Sequence, residues 1–206
     1  ADSPAGIKAQ QDELCHILDR LKEVNINTVL LQTRVRGSVI YPSAIEPWDG
    51  CLTGTPGRAP GYDPLAFAIR ECHKRGMELH AWLVAIPCFK ASAATRMGKR
   101  SVLKTHPKLC VRHGDSWYLD PGQPGTADYL ASLCREIATN YDVDGIHFDY
   151  IRYPENAAKF NDAASYRKYG KRQNKADWRR SNMTRCVRAM YRAVKAAKPW
   201  VKVSSS

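Results

Sequence analysis

No two of the seven cysteines, at positions 15, 51, 72, 88, 110, 134 and 186, stand as a CxxC pair. A structural zinc site asks for such close pairs, so no metal centre of that kind is expected. Cys15, Cys72, Cys134 and Cys186 fall at or near apolar positions of helical patterns and read as buried free thiols, not as a disulfide scaffold. That leaves export open, because a large core does not require disulfides. No apolar run approaches the ~20 residues that a membrane-crossing helix needs. No secretory signal is present, and the chain opens on Ala1-Asp2-Ser3-Pro4 rather than on Met, so an upstream segment is expected. No zinc-finger or RNA-binding signature accompanies the net charge of +12. Much of that charge lies between Arg167 and Lys202, interspersed with acids. It reads as a solvated outer helix face, with no nucleic-acid partner expected; a basic surface for an anionic polymer is the rival reading.

What is present is an ordinary globular composition, 44% hydrophobic and 25% charged over 206 residues, enough for one sizeable core. Helical and strand patterns alternate. Leu14, Ile17, Leu18, Leu21 and Val24 form a helical stripe over residues 11–24, followed by a strand pattern from Thr28 to Arg34. After a Gly- and Pro-rich loop from about 36 to 62, Asp63 and Pro64 read as the N-cap and first position of a second helix. A strand from Glu78 to Val84 comes next. Residues 87–118 form a long basic excursion, ended by a short extended piece and turn at Trp117 to Gly122. A helix is expected at about 126–141, a strand ending at Asp149, a polar loop over 155–176 and an amphipathic helix over 178–198. The chain stops as a further strand begins at Val201. This alternation predicts an α/β fold with a parallel sheet and long loops after the strand ends, the arrangement of (β/α) barrels. A closed eight-stranded barrel needs ~250 residues. About half a (β/α)8 TIM barrel is therefore expected over residues 1–206, as part of a larger protein; a small doubly wound sheet is the alternative.

The segment from Asp144 to Pro154 carries most of the chemistry. Alternation along a strand puts His147 and Asp149 on one face and Ile146, Phe148 and Tyr150 on the other. The same rule pairs Gln32 with Arg34, and His80 with Trp82. Three strands thus deliver polar or aromatic groups where a structural strand would carry Val, Ile or Leu. Asp149 is the candidate catalytic carboxylate, against a structural reading as an ion-pair partner of Arg34 or Arg152. Hydrolysis of a glycosidic bond normally uses two carboxylates. Asp120 and Glu155 are the candidate second groups, unless the partner lies beyond Ser206. Loop aromatics, among them Tyr41, Trp48, Tyr62, Trp117, Tyr118, Tyr150 and Tyr153, are candidates to stack on sugar faces. His80, His147, Asp149 and Asp120 lack any metal-motif spacing, so neither metal nor cofactor is expected.

Together Gln32, Arg34, Tyr41-Pro42-Ser43, Pro47-Trp48, Asp63-Pro64-Leu65, His80-Ala81-Trp82, Leu119-Asp120-Pro121-Gly122, Tyr141 through Tyr150, Tyr153-Pro154 and Trp178-Arg179-Arg180 resemble the bacterial glycosyl-hydrolase-like family ten, in order along nearly the whole chain. The resemblance implies a (β/α)8 barrel in which the present strands are the second to fifth and Asp149 ends the fourth. It implies hydrolysis of glycosidic bonds, cell-wall glycan as the substrate of some relatives, and a secreted, periplasmic or lipid-anchored location. The chain departs from the family at Tyr150, where a second Asp is common, and at Val84-Ala85-Ile86-Pro87, where many relatives have Asn-Pro-Tyr. The expected protein is a glycoside hydrolase acting on a carbohydrate polymer. Asp149 and Asp120 are its catalytic carboxylates, and Gln32, Arg34, His80, Trp82, His147, Tyr150, Trp48 and Tyr153 its sugar-binding residues. A catalytically silent carbohydrate-binding barrel is the rival.

Overall fold

Helix α1 (Pro4–Glu23) begins earlier than its apolar stripe, because Ser3 caps it: the side chain accepts the Gly6 N–H, and Pro4 takes the first position, where a missing N–H costs nothing. The computed structural model describes residues 3–170 and 172–206. Ala1 and Asp2, on which the reading of the chain's start falls, and Lys171 of the basic run lie outside the described residues. Strand β1 (Thr28–Arg34) follows α1. Helix α2 (Pro64–Lys74) starts as its sequence predicts, with the Asp63 carboxylate accepting the Ala66 N–H at 3.0 Å, and leads into β2 (Glu78–Val84).

Beyond β2 the basic excursion is more ordered than its sequence suggests. It holds β3 (Pro87–Lys90), a one-turn helix α3 (Val102–Thr105), β4 (Cys110–His113) and β5 (Ser116–Leu119). The three strands form an antiparallel sheet in the order β3-β5-β4. Strand β5 is the short extended piece expected from Trp117, while β3 and β4, four residues each with mixed exposure, carry too little alternation to register. Helix α4 (Pro124–Asn140), β6 (Gly145–Asp149), a short α5 (Ala163–Tyr169), α6 (Lys175–Ala197) and β7 (Lys202–Ser205) complete the order. Helix α5 falls inside a stretch whose polarity reads as loop.

Strands β1, β2, β6 and β7 form a parallel sheet in that order, and each is preceded by a helix, α1, α2, α4 or α6. The outer face is apolar: Leu79, Ala81, Leu83, Ile146 and Phe148 are all 1% exposed or less beneath the helices. Each such large side chain contributes roughly 1.5–3 kcal/mol by leaving water. The seven cysteines are free thiols, and Cys72, Cys88, Cys134 and Cys186 are buried. Much of the basic run is occupied within the fold. Lys175 and Arg179 pair with buried Asp162, Arg185 donates to the Pro121 carbonyl, and Lys198 to that of Tyr141.

The inner face is polar and layered. Leu30, His80, Gly145 and Lys202 lie in register, and one layer nearer the strand ends Gln32, Trp82, His147 and Ser204 do the same. Gly145 is required by this layering, since a Cβ there would stand 2.5 Å from Nδ1 of the His80 ring. Gly145→Ala is expected to destabilise the protein by about 1–3 kcal/mol, as overpacking does. Adding His80→Ala should recover part of that loss, which a double-mutant cycle of denaturant unfolding would measure.

Candidate active site

Asp149 is the last residue of β6, so the strand delivers its carboxylate to the C-terminal edge of the parallel sheet. Three donors face it. Trp82 Nε1 donates to Oδ2 at 3.0 Å, the Tyr150 N–H to Oδ1 at 2.6 Å, and the Ser206 hydroxyl to Oδ1 at 3.2 Å. An ionised carboxylate is acceptor-only, and every one of these partners can donate, so the side chain is oriented from both oxygens. Arg34 pairs with Glu46, Arg152 lies over the Tyr150 ring, and among the described residues no ion pair joins either to Asp149, which removes the ion-pair reading.

His147 stands one layer below, with Nδ1 2.9 Å from Ser204 Oγ and Nε2 3.3 Å from Ser206 Oγ. Its ring meets Trp82 edge-on at 6.4 Å. Trp82, His147 and Ser206 therefore form one continuous support for Asp149. Gln32 lies in register with Trp82 in the same layer. His80 shares this face but sits a layer deeper, where Nε2 lies 2.9 Å from Glu78 Oε2, and Lys202 Nζ reaches the other Glu78 oxygen at 2.5 Å. It supports the sheet's lower layer instead of reaching the strand ends.

Arg34 corrects the alternation rule. Between Gln32 and Arg34 the register against β2 slips: Gln32 stands opposite Trp82, but Arg34 stands opposite Leu83. This irregularity turns Arg34 to the outer side, as a bulge does. There it is 1% exposed, with Nε and Nη2 donating to Glu46 at 2.8 and 2.7 Å and Nη1 to the carbonyls of Val84 and Ala85. Burial opposes its charge, but Glu46 outweighs that and raises its pKa. Tyr129 donates to the same Glu46 at 2.8 Å. Arg34 thus anchors the first loop and is shut away from any sugar. Glu46 has no motif of its own, yet a buried arginine demands a carboxylate, and that rule is the signal for it.

Asp120 is likewise corrected. It is 2% exposed, in the turn between β5 and α4, where it accepts from the Gly122 N–H at 2.8 Å and from the Ser165 hydroxyl. Burial pushes its carboxyl above the usual range, against those two donors. It closes a turn beneath α5 instead of lining an open mouth. Tyr41 is fully buried, its hydroxyl donating to Glu136 at 2.9 Å, and so is no stacking surface. Trp48 is half-buried and bridges Val39 within the loop after β1.

A cavity of about 300 Å³ opens at Tyr150, the residue that follows Asp149. Its walls are the β4–β5 turn with His113 and Tyr118, the segment after β6 with Tyr150, Tyr153 and Glu155, and Arg36 from the loop after β1. Tyr150 has a φ of 50°, a left-handed conformation that bulky residues rarely adopt and that gathers at functional sites. Tyr153 receives a hydrogen bond from Asn182 at 3.1 Å, and its ring carries the Arg179 guanidinium at 4.9 Å. Glu155 is exposed at the cavity rim. The roles of Arg36, His113 and Ser206 are absent from any local sequence pattern. Among the described residues no group of three or more His, Cys, Asp or Glu is arranged to hold a metal ion.

Asp149 thus ends a strand of a parallel α/β sheet, and an aromatic-walled cavity opens from the residue after it. Solved structures agree on the fold. An α-L-fucosidase, isoenzyme 2 from Paenibacillus thiaminolyticus, aligns with a TM-score of 0.64 at 14% identity over 94% of this chain and 29% of its own. A hypothetical protein from Ruminiclostridium thermocellum ATCC 27405 aligns at 0.61 and 18% identity over 95% and 90%. The α-galactosidase TtGalA of Thermus thermophilus aligns at 0.54 and 16% identity over 95% and 34%. The chain belongs to the glycosyl hydrolase-like 10 family, whose model matches residues 6–206. It is 36% identical to glycosyl hydrolase YngK of Bacillus subtilis (strain 168) over 98% of this chain and 40% of that protein. It is 38% identical to glycosyl hydrolase DigH of Escherichia coli (strain K12) over 97% and 48%. The chain thus spans less than half the length of these relatives.

Proposed function

We propose that this chain forms the catalytic half of a glycoside hydrolase, with Asp149 as its principal carboxylate. The observation that carries this reading is the Asp149 side chain held by Trp82 and Tyr150 N–H groups at the end of β6, with a tyrosine-walled cavity lined from the next residue onward. Family membership and the names of the relatives support glycosidase chemistry. We further propose that the sheet is half of a (β/α)8 barrel. Strands β1 and β7 each have one neighbour in this sheet, and the inner face holds Leu30 44% exposed, an apolar group in register with His80. Closure by further strands would cover that face and remove both edges.

The proposed substrate is a polysaccharide, with bacterial cell-wall glycan as the class that the family resemblance favours. A secreted, periplasmic or lipid-anchored setting would accompany it. Trp82 and His147 position the carboxylate in this reading, while Tyr150 and Tyr153 meet the sugar. Glu155 replaces Asp120 as the candidate second carboxylate, because it lines the cavity that opens at Tyr150 while Asp120 is buried. Glu155→Gln is expected to lower kcat by about 10²-fold or more, the lower range for a positioned acid or base. An unchanged kcat with reducing-end release as the assay would move the second carboxylate outside this chain.

One observation favours a second reading, a carbohydrate-binding barrel without catalysis: among the described residues no other carboxylate is hydrogen-bonded into the Asp149 cluster. Reducing-end release from a panel of polysaccharides by the full-length protein separates the two. Release that Asp149→Asn abolishes supports the hydrolase. Sugar binding without release supports the binding module.

A further inference from the structure

We propose that Arg36 and Arg152, stacked on Tyr150, form a subsite for an oxyanion borne by the sugar, a carboxylate or a phosphate, so that the glycan taken is an acidic one. The inference rests on the cavity that opens at Tyr150, directly after Asp149, being the sugar site. The Arg36 guanidinium carbon lies 5.3 Å from the centre of the Tyr150 ring, and that of Arg152 lies 5.0 Å from it. Both guanidiniums also line the cavity, and the N–H fork of an arginine is the group that recognises carboxylate and phosphate.

Three buried or half-buried arginines hold a carboxylate: Arg34 with Glu46, Arg75 with Asp19, and Arg179 with Asp162. Among the described residues no ion pair reaches Arg36 or Arg152, although both line the cavity together with Asp115 and Glu155. Asp115 is turned to Lys90 at 3.5 Å and to the Ser116 hydroxyl at 2.8 Å. Glu155 is the carboxylate proposed above to serve the reaction. Two guanidiniums on one ring stand within about one Debye length (~10 Å at 0.1 M salt) of each other. A neutral sugar leaves that repulsion in place, whereas an oxyanion in the cavity that both arginines line offsets it. The left-handed Tyr150 backbone, φ 50°, lies directly after Asp149, so the ring that carries both cations is tied to the candidate catalytic residue. A cavity of about 300 Å³ has room for one substituted sugar unit of such a glycan.

The test is titration of the full-length protein with sodium glucuronate, sodium phosphate and glucose, read from the arginine side-chain N–H resonances and from calorimetry. Glucuronate or phosphate is expected to bind at least about tenfold more tightly than glucose, the worth of one charge-assisted hydrogen bond pair. The stronger of the two anions names the substituent. The ratio should fall towards one in Arg36→Gln/Arg152→Gln, and unchanged melting temperatures of these exposed-site variants would certify their fold. Equal binding of glucuronate, phosphate and glucose overturns the inference, as does an anion preference that survives the double substitution. A glycan-hydrolysing protein without the preference would sink this inference alone. The preference without hydrolysis would sink only the catalytic reading.

Discussion

Asp149→Asn is expected to lower hydrolysis of the proposed glycan substrate by about 10²–10⁴-fold, the contribution of a positioned acid, base or nucleophilic carboxylate. The fold should be little affected. The substitution keeps the side chain's shape, and its carbonyl oxygen can still accept from Trp82 Nε1 or from the Tyr150 N–H. The new amide nitrogen, however, must face one of those donors, which weakens but does not remove the local bonding. Binding of the glycan should therefore survive where turnover does not, so kcat falls and KM changes little. Trp82→Phe removes one donor while preserving most of the ring, and a smaller loss of about tenfold in kcat is expected, equivalent to one hydrogen bond of roughly 1.4 kcal/mol. Loss of kcat from Trp82→Phe without loss of stability would identify the indole N–H as a positioning group.

The largest stability effect is expected at Arg34. Arg34→Met leaves Glu46 buried with Tyr129 as its remaining side-chain donor, and removes the donors to the Val84 and Ala85 carbonyls. Breaking a buried pair by removing one partner costs about 3–5 kcal/mol, because the other charge stays uncompensated. For a chain of this size that lowers Tm by roughly 10 °C. Replacing both partners, Arg34→Met with Glu46→Leu, should recover much of the loss, since apolar side chains of similar volume fill the space without a stranded charge. Thermal unfolding of the two variants checks both statements. Equal Tm for Arg34→Met and the parent would show that the pair contributes nothing. The same result would reopen Arg34 as a group free to turn towards sugar.

These two sites also mark where the sequence is readable and where it is not. Asp149 is visible because β6 alternates cleanly: Ile146 and Phe148 are buried while His147 and Asp149 face the open side. The helices are visible because long amphipathic stripes and caps such as Asp63-Pro64 leave periodic marks. Arg34 is misread because one irregular residue in β1 inverts every face assignment after it, and a bulge leaves no mark in a seven-residue strand. Asp120 is misread because a turn aspartate and a catalytic one look alike until burial is known; here Ser165, forty-five residues away, completes its turn. The cavity wall from His113 and Tyr118 depends on a hairpin too short to show alternation. Ser206 joins Asp149 only through the pairing of β7 with β6, a contact across the sheet. Local patterns therefore reveal elements and single-strand faces, while the site's supports come from neighbouring strands and stay hidden.

The most direct test is the release of reducing sugar from a panel of polysaccharides that includes purified cell-wall glycan, measured for the full-length protein and its Asp149→Asn variant side by side. Release by the parent that falls by about 10² or more in the variant, with melting temperature preserved, is the predicted result. Release that is equal in both would contradict the central role given to Asp149.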